Sequence, residues 1–159
     1  FLKKNPTSIV LPFDTSVHVD HGLSSEKSFA DNYQIVNGFF GGGTDCGSPI
    51  KYLTETKSNV DIIVLISDNE SWGQLRTRSR YNTDTLLRLE EYKKINPNVK
   101  LVNIDISPSC DTQAPSDDSV MLVSGFNDSV FKLLTSFLPN SADKNYWVNY
   151  INNYCSLDA

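Results

Sequence analysis

The sequence predicts an α/β fold, a mostly parallel sheet with helices on both faces. Two observations carry that prediction. Apolar, strand-like runs alternate along the chain with segments whose apolar residues recur at helical spacing, the pattern of a layered α/β domain. The clearest run, Val60 to Ile66, is apolar apart from Asp61 near its start, as a strand covered on both faces of a parallel sheet is, and it ends abruptly in Ser67-Asp68-Asn69-Glu70. Shortly before it, the glycine loop Gly41-Gly42-Gly43-Thr44-Asp45-Cys46 delivers a hydroxyl and a carboxylate. Ligands of open α/β sheets sit just outside the carboxyl ends of the strands. Hard oxygen donors gathered there suit Mg²⁺ better than zinc.

The elements follow in order. Ser8 to Phe13 reads as a strand, with Pro12 near its end where no ladder donor is needed. Ser16 to Asp20 reads as a short return strand, Val17 and Val19 alternating with His18 and Asp20. Ser28 to Phe40 reads as a helix with Phe29, Tyr33, Val36 and Phe40 at helical spacing, stopped by Gly41 to Gly43. Cys46 to Thr56 reads as a second helix that tolerates Pro49 in its first turn and turns Ile50, Leu53 and Tyr52 to the core. After the Val60–Ile66 strand, Thr83 to Ile95 reads as a helix with Leu86, Leu89, Tyr92 and Ile95 on one side. Asn82 or Thr83 caps it, and Pro97 bars its continuation. Lys100 to Ile106 and Ser119 to Ser124 read as strands, separated by a loop rich in proline, serine and aspartate over Ser107 to Asp118. Asn127 caps a helix striped by Val130, Phe131, Leu134 and Leu138, and a last helix over Asp143 to Tyr154 carries Trp147, Tyr150, Ile151 and Tyr154 on one face. Right-handed crossovers are expected to assemble these into a Rossmann-like layered sandwich short of its first strand.

A chain of 159 residues is expected to form one domain with a sizeable core. It is 39% hydrophobic and 21% charged, and its net charge of -5 makes it a poor grip for a phosphate backbone. Arg76, Arg78 and Arg80 form the one dense basic cluster and read as a solvated face. Cys46, Cys110 and Cys155 are odd in number and widely spaced, which argues against a disulfide framework or a zinc site and for a reducing, cytoplasmic setting. No run approaches the ~20 apolar residues of a membrane span. The opening Phe1-Leu2-Lys3-Lys4-Asn5-Pro6 reads as the last turn of a helix ended by proline, so structure upstream, in a longer protein, is expected.

Each polar candidate has a plain structural role beside the chemical one. Thr44 reads either as a metal ligand or as the N-cap of the helix that follows. Asp68 reads either as a ligand or as a turn residue bonded to its own backbone. Asp45 and Glu70 serve either beside a metal or as carboxylates answering a helix dipole. The triple glycine lacks the Lys-Ser/Thr of a phosphate-binding loop, so a nucleotide site is rejected. Only His18 and His21 exist to activate Cys46, and both sit in the early hairpin region, so a Cys-His hydrolase is rejected too. The aromatic stripe of Trp147, Tyr150 and Tyr154 reads as the docking face of a terminal helix rather than a base-stacking platform.

Taken in order, several segments resemble the von Willebrand factor A-type domain of the Ro (TROVE) ribonucleoproteins, most of all the bacterial members. They are Phe40-Gly41-Gly42-Gly43-Thr44-Asp45-Cys46, Leu65-Ile66-Ser67-Asp68-Asn69-Glu70-Ser71-Trp72, Val10-Leu11-Pro12-Phe13-Asp14-Thr15, Asn96-Pro97 leading into Leu101-Val102-Asn103-Ile104-Asp105, Thr112-Gln113-Ala114-Pro115, and Gly125-Phe126-Asn127-Asp128-Ser129-Val130-Phe131. The resemblance implies a von Willebrand factor A-type three-layer sandwich over residues 1–159 whose first, central strand is absent from the chain. It implies a parent protein in which a ring of helical repeats binds small non-coding Y RNA and the ends of misfolded RNA. It also implies a metal-ion-dependent adhesion site in which Thr44 is the second-loop threonine and Asp68 the third-loop aspartate. The third part of that site, an Asp-x-Ser-x-Ser, would precede Phe1.

The expected function is therefore a non-catalytic, Mg²⁺-binding interaction domain of a Ro-type RNA-binding protein acting in RNA quality control. Its partners would be the parent's ring, RNA through that ring, and an acidic protein ligand at the metal. With Thr44 and Asp68 alone, Mg²⁺ affinity no better than ~10⁻³ M is expected. The alternative is a Mg²⁺-dependent phosphatase or nuclease using Asp45, Asp68 and Glu70. Two geometric expectations follow. Thr44 and Asp68 share one rim of the sheet, and a vacant slot holds the Ser8–Phe13 and Val60–Ile66 strands roughly 10 Å apart.

Overall fold

The structure is a computed structural model that describes residues 2–39, 42–68, 84–107, 119–125, 127, 129–130, 134 and 152. The chain divides into two compact units, one of Phe1–Asn59 with Asn69–Pro97 and one of Val60–Asp68 with Asn98–Ala159.

The second unit is built on a parallel three-stranded sheet of β1 (Ile62–Ser67), β2 (Lys100–Asp105) and β3 (Val120–Ser124) in the order β1-β2-β3. All three are rich in Ile and Val, whose branched side chains suit a covered, pleated surface. β2 is central, and Leu101, Val102, Asn103 and Ile104 are all buried, so both of its faces are covered. On one face Val102 and Ile104 form a cluster with Val130 and Leu134, against which Ile62, Val64, Met121 and Val123 pack. Asn127 starts that last segment as expected, its Oδ1 accepting the Ser129 N–H at 2.8 Å. The pattern on β1 departs from a strand covered on both faces. Ile63, Leu65 and Ser67 are buried, but Ile66 is half-exposed, because β1 is an edge of the sheet that the described residues form.

The register aligns the carboxyl ends: Ser67 stands beside Asp105, and Asp105 beside Ser124. Beyond them the Ile106 N–H donates to the Ser67 carbonyl at 3.0 Å and the Gly125 N–H to the Asp105 carbonyl at 2.7 Å. Gly125 turns away with φ +80°, a conformation that glycine takes without steric cost.

Among its described residues, the first unit carries three helices. α1 (Phe29–Asn37) starts at a capping box, the Ser28 hydroxyl oxygen accepting from the Asp31 N–H and the Asp31 carboxylate from the Ser28 N–H. It ends at Gly38, before the triple glycine expected to stop it. Its apolar stripe does not face a core: no residue of α1 is buried, and Phe29, stacked on Tyr33, is 82% exposed. Periodicity reports that a helix is amphipathic, not what covers its apolar side.

α2 (Ser48–Glu55) follows Gly47 and buries Pro49, Ile50 and Leu53. It closes in a Schellman turn, the Ser58 N–H donating to the Leu53 carbonyl and the Lys57 N–H to the Thr54 carbonyl. Lys57 occupies the left-handed position, φ 52°, where glycine is usual. α3 (Asp84–Lys93) packs on α2 and buries Thr85, Leu89 and Tyr92. The Tyr92 hydroxyl donates to the Ser58 carbonyl at 2.5 Å, tying α3 to the end of α2. Ile95 was expected on this face; it lies past the helix end and is half-exposed, because the chain has already turned there.

The expected strand at Ser8–Phe13 does not form. Phe13 and Val17 make one isolated antiparallel bridge around a tight turn, and the return strand over Ser16–Asp20 is no longer than that. Pro12 has no N–H for a ladder, and the Val10 carbonyl accepts from the His21 ring at 2.9 Å instead of from a neighbouring strand. The expected slot between two strands lapses with one of its walls. The Ser107–Asp118 loop beyond Ser107, the cap at Asn82 or Thr83, the terminal helix apart from Asn152, and Phe40, Gly41, Phe131 and Leu138 lie outside the described residues.

Candidate functional site

Thr44 stands half-buried in the first unit, in the short loop between Gly42 and α2. It is not the cap of α2, since Gly47 occupies that position. Asp45 organises the start of the helix. Its Oδ1 accepts the Gly47 N–H at 2.9 Å, and its carbonyl accepts both the Ser48 N–H at 3.1 Å and the Ser48 hydroxyl at 2.9 Å. These bonds satisfy donors that a helix start leaves open. Cys46 is fully buried directly behind the loop, where a thiol packs rather than reacts.

The approach to α2 is tight. A side-chain carbon at Gly47 would lie 2.6 Å from Asp84 Oδ2, 3.2 Å from Arg88 Cγ and 3.3 Å from Asp45 Oδ1. Two carboxylates thus flank Gly47, and a larger residue there would require the Asp84 side chain to move. Arg88 offsets the charge of Asp84, its Nε 3.7 Å from Asp84 Oδ1, while its Nη1 reaches Glu91 Oε2 at 3.2 Å. Asp84 and Arg88 were not marked by the local sequence as neighbours of the glycine loop, although their i,i+4 spacing on a helix is the signature of such a pair.

The loop also meets the tight turn of residues 13–17. The Asp45 N–H donates to the Asp14 carbonyl at 2.7 Å. The Asp14 carboxylate accepts the Ser16 N–H at 3.0 Å and pairs with His18 Nε2 at 2.9 Å, and the His18 ring stacks on Phe39 with centroids 4.8 Å apart. The Ser16 N–H first, and His18 second, hold the Asp14 carboxyl below the usual carboxylate range.

In the second unit, Asp68 follows β1 directly and is half-buried. Ser67 Oγ donates to its Oδ1 at 3.4 Å. On the same rim Asp105 is almost wholly buried, its Oδ1 accepting the Ser107 N–H at 3.0 Å. Asp105 is a further oxygen donor at a strand's carboxyl end, which the alternating Asn103-Ile104-Asp105-Ile106 does not single out in the sequence. Each unit therefore holds one of the two expected ligands, and the chain supplies oxygen donors throughout, the set a hard cation takes. No group of three His, Cys, Asp or Glu side chains able to hold a metal occurs among the described residues. Glu70 lies outside the described residues.

Comparison with known proteins agrees with this architecture. The model of the Ro60 vWA domain matches residues 1–138. The RNA-binding protein RO60 of Caenorhabditis elegans is 24% identical over 121 residues, which cover 72% of this chain and 18% of that protein. The crystal structure of the Deinococcus radiodurans RO (RSR) protein superposes with a TM-score of 0.68 at 20% identity, over 88% of this chain and 27% of that one. The chain thus spans less than a fifth of the length of the curated relative it matches.

Proposed function

The chain belongs to the Ro60 vWA domain family, and on that premise we propose that it serves as the non-catalytic, cation-binding interaction domain of a larger Ro-type RNA-binding protein. The observation that carries the proposal is the family match along residues 1–138, joined to a relative that is itself an RNA-binding protein. In this reading residues 1–159 act as a single domain, although by contacts they divide in two. The parent protein works in the cytoplasm, in quality control of RNA together with small non-coding Y RNA.

RNA is held by the remainder of the parent, a ring of helical repeats, and not by this chain. The net charge of -5 supports that division of labour, because an acidic surface repels phosphates. No helix among the described residues is long and apolar enough to cross a membrane, and no membrane partner is proposed.

The cation is Mg²⁺ or a similar hard divalent ion, with Thr44 and Asp68 as its protein ligands. When bound, it supplies a positive charge that an acidic group of a partner protein completes. The Thr44 hydroxyl is a neutral donor, so it leaves most of that charge unspent, while the Asp68 carboxylate holds the ion in place. Asp45 is already engaged at the start of α2, which favours a structural role for it over that of a catalytic base.

RNA binding by the parent and by this chain alone, compared at physiological salt, tests the proposal. The parent is expected to bind a small structured RNA and the chain alone to leave it free. Tight RNA binding by the chain alone would overturn the division of labour. Incubation with a phosphate monoester or an RNA strand and Mg²⁺ or Mn²⁺ is expected to give no turnover. Turnover abolished by Asp68→Asn would overturn the non-catalytic assignment.

A further inference from the structure

The loop that carries Thr44 is attached at both of its described ends to one tight turn. At its start, Phe39 is stacked by the His18 ring, centroids 4.8 Å apart and planes within 19°. At its end, the Asp45 N–H donates to the Asp14 carbonyl at 2.7 Å. The two attachment points are joined to each other, because His18 Nε2 lies 2.9 Å from Asp14 Oδ2. The turn between them is itself closed by three hydrogen bonds. Two make the Phe13 and Val17 bridge, the His18 N–H donating to the Pro12 carbonyl at 2.8 Å and the Asp14 N–H to the Ser16 carbonyl at 3.0 Å, and in the third the Ser16 N–H donates to Asp14 Oδ1 at 3.0 Å.

A glycine-rich loop has little stiffness of its own, since glycine loses the most conformational freedom on ordering. Contacts from outside the loop add order that its glycines do not supply, and ligands for a cation that demands near-ideal geometry gain most from such support. We propose that Asp14 and His18 are positioning residues for Thr44: their mutual contact closes a clamp whose one jaw is the His18 ring on Phe39 and whose other jaw is the Asp14 carbonyl on the Asp45 amide. The clamp is a property of the first unit alone and is measurable without any cation. Its consequence for Mg²⁺ rests on the reading of Thr44 as a ligand.

The test uses the full 159-residue chain labelled with ¹⁵N, as wild type, His18→Ala and His18→Phe. Amide hydrogen exchange is followed at Asp45, and at Leu89 and Tyr92 in α3 as internal controls. His18→Ala removes the ring and the partner of Asp14. The Asp45 amide is expected to exchange about tenfold faster while the α3 amides keep their rates. His18→Phe keeps an aromatic ring on Phe39 and is expected to fall between the two, a partial rescue that a merely structural role would not produce. In a parallel Mg²⁺ titration, the Thr44 resonance of His18→Ala is expected to respond several-fold more weakly than that of the wild type. An unchanged Asp45 rate in both variants overturns the clamp, and so does an equal rise at Asp45, Leu89 and Tyr92. Should His18→Ala not fold, the wild type and His18→Phe decide by the same comparison. A wild-type Thr44 resonance that ignores Mg²⁺ refutes the metal reading alone, and the exchange rates still judge the clamp.

Discussion

Ile66 and Ile104 are the same residue, paired Cα to Cα on adjacent strands, yet one is 49% exposed and the other 1%. Truncating each to alanine isolates burial from chemistry. Three carbons are lost in either case, at about 0.8 kcal/mol apiece when fully buried. For Ile104 that transfer cost is close to fully realised. The surrounding Val102, Val130 and Leu134 close only partly over the void, which adds about 1–2 kcal/mol. Ile104→Ala should therefore cost roughly 3–4 kcal/mol, a large share of a domain's stability. Ile66 sits on the edge strand, forfeits about half the transfer term and leaves no closed cavity, so Ile66→Ala should cost about 1 kcal/mol. Urea unfolding followed by far-ultraviolet circular dichroism measures both, and an unchanged slope would show that the unfolded state is not responsible. Equal losses for the two variants would refute the placement of β1 at the sheet edge and of β2 at its centre.

Three further outcomes are expected. Lys57→Gly relieves a side chain held at φ 52° and should raise stability by about 1 kcal/mol, read as a higher unfolding midpoint; a drop would mean that α2 does not end in the Schellman turn. Tyr92→Phe removes the donor to the Ser58 carbonyl and should cost about 1–2 kcal/mol with the fold intact, whereas no loss would mean that water replaces the bond freely. The folded chain holds Asp14 more acidic than its ordinary value of 3.8, so the unfolded chain binds the proton more readily. The stabilisation from Asp14 is complete above that ordinary value and is lost as pH falls through the lower folded value. Unfolding midpoints measured from mild to strong acid should fall less steeply for Asp14→Asn than for the wild type, and parallel profiles would contradict the assignment.

The parallel strands were legible because each is a short apolar run that needs only a neighbour to pair with. Val60–Ile66, Lys100–Ile106 and Ser119–Ser124 correspond to β1, β2 and β3 within a residue or two. The helices were legible in position but not always in burial. The stripe of α2 is covered and that of α1 is exposed, a difference set by tertiary neighbours and not by spacing. The misread element is Ser8–Phe13, where a strand-like composition yields to Pro12 and to a turn so tight that one bridge exhausts it. Thr44 and Asp68 stood out because each breaks from a distinctive local run. The Asp14 carbonyl on the Asp45 amide and the carboxylates around Gly47 join residues far apart in sequence, so no local pattern announces them.

The proposed function stands on Thr44 and Asp68 serving one divalent cation. Titrating the ¹⁵N-labelled chain with Mg²⁺ while following the amides of Gly43, Thr44, Ser67 and Asp68 tests it directly. The account predicts that both loops respond along a single curve with a midpoint at or above ~1 mM, and that Asp68→Asn abolishes the response at Thr44 as well as its own. A response confined to one loop, or a Thr44 response untouched by Asp68→Asn, would contradict it.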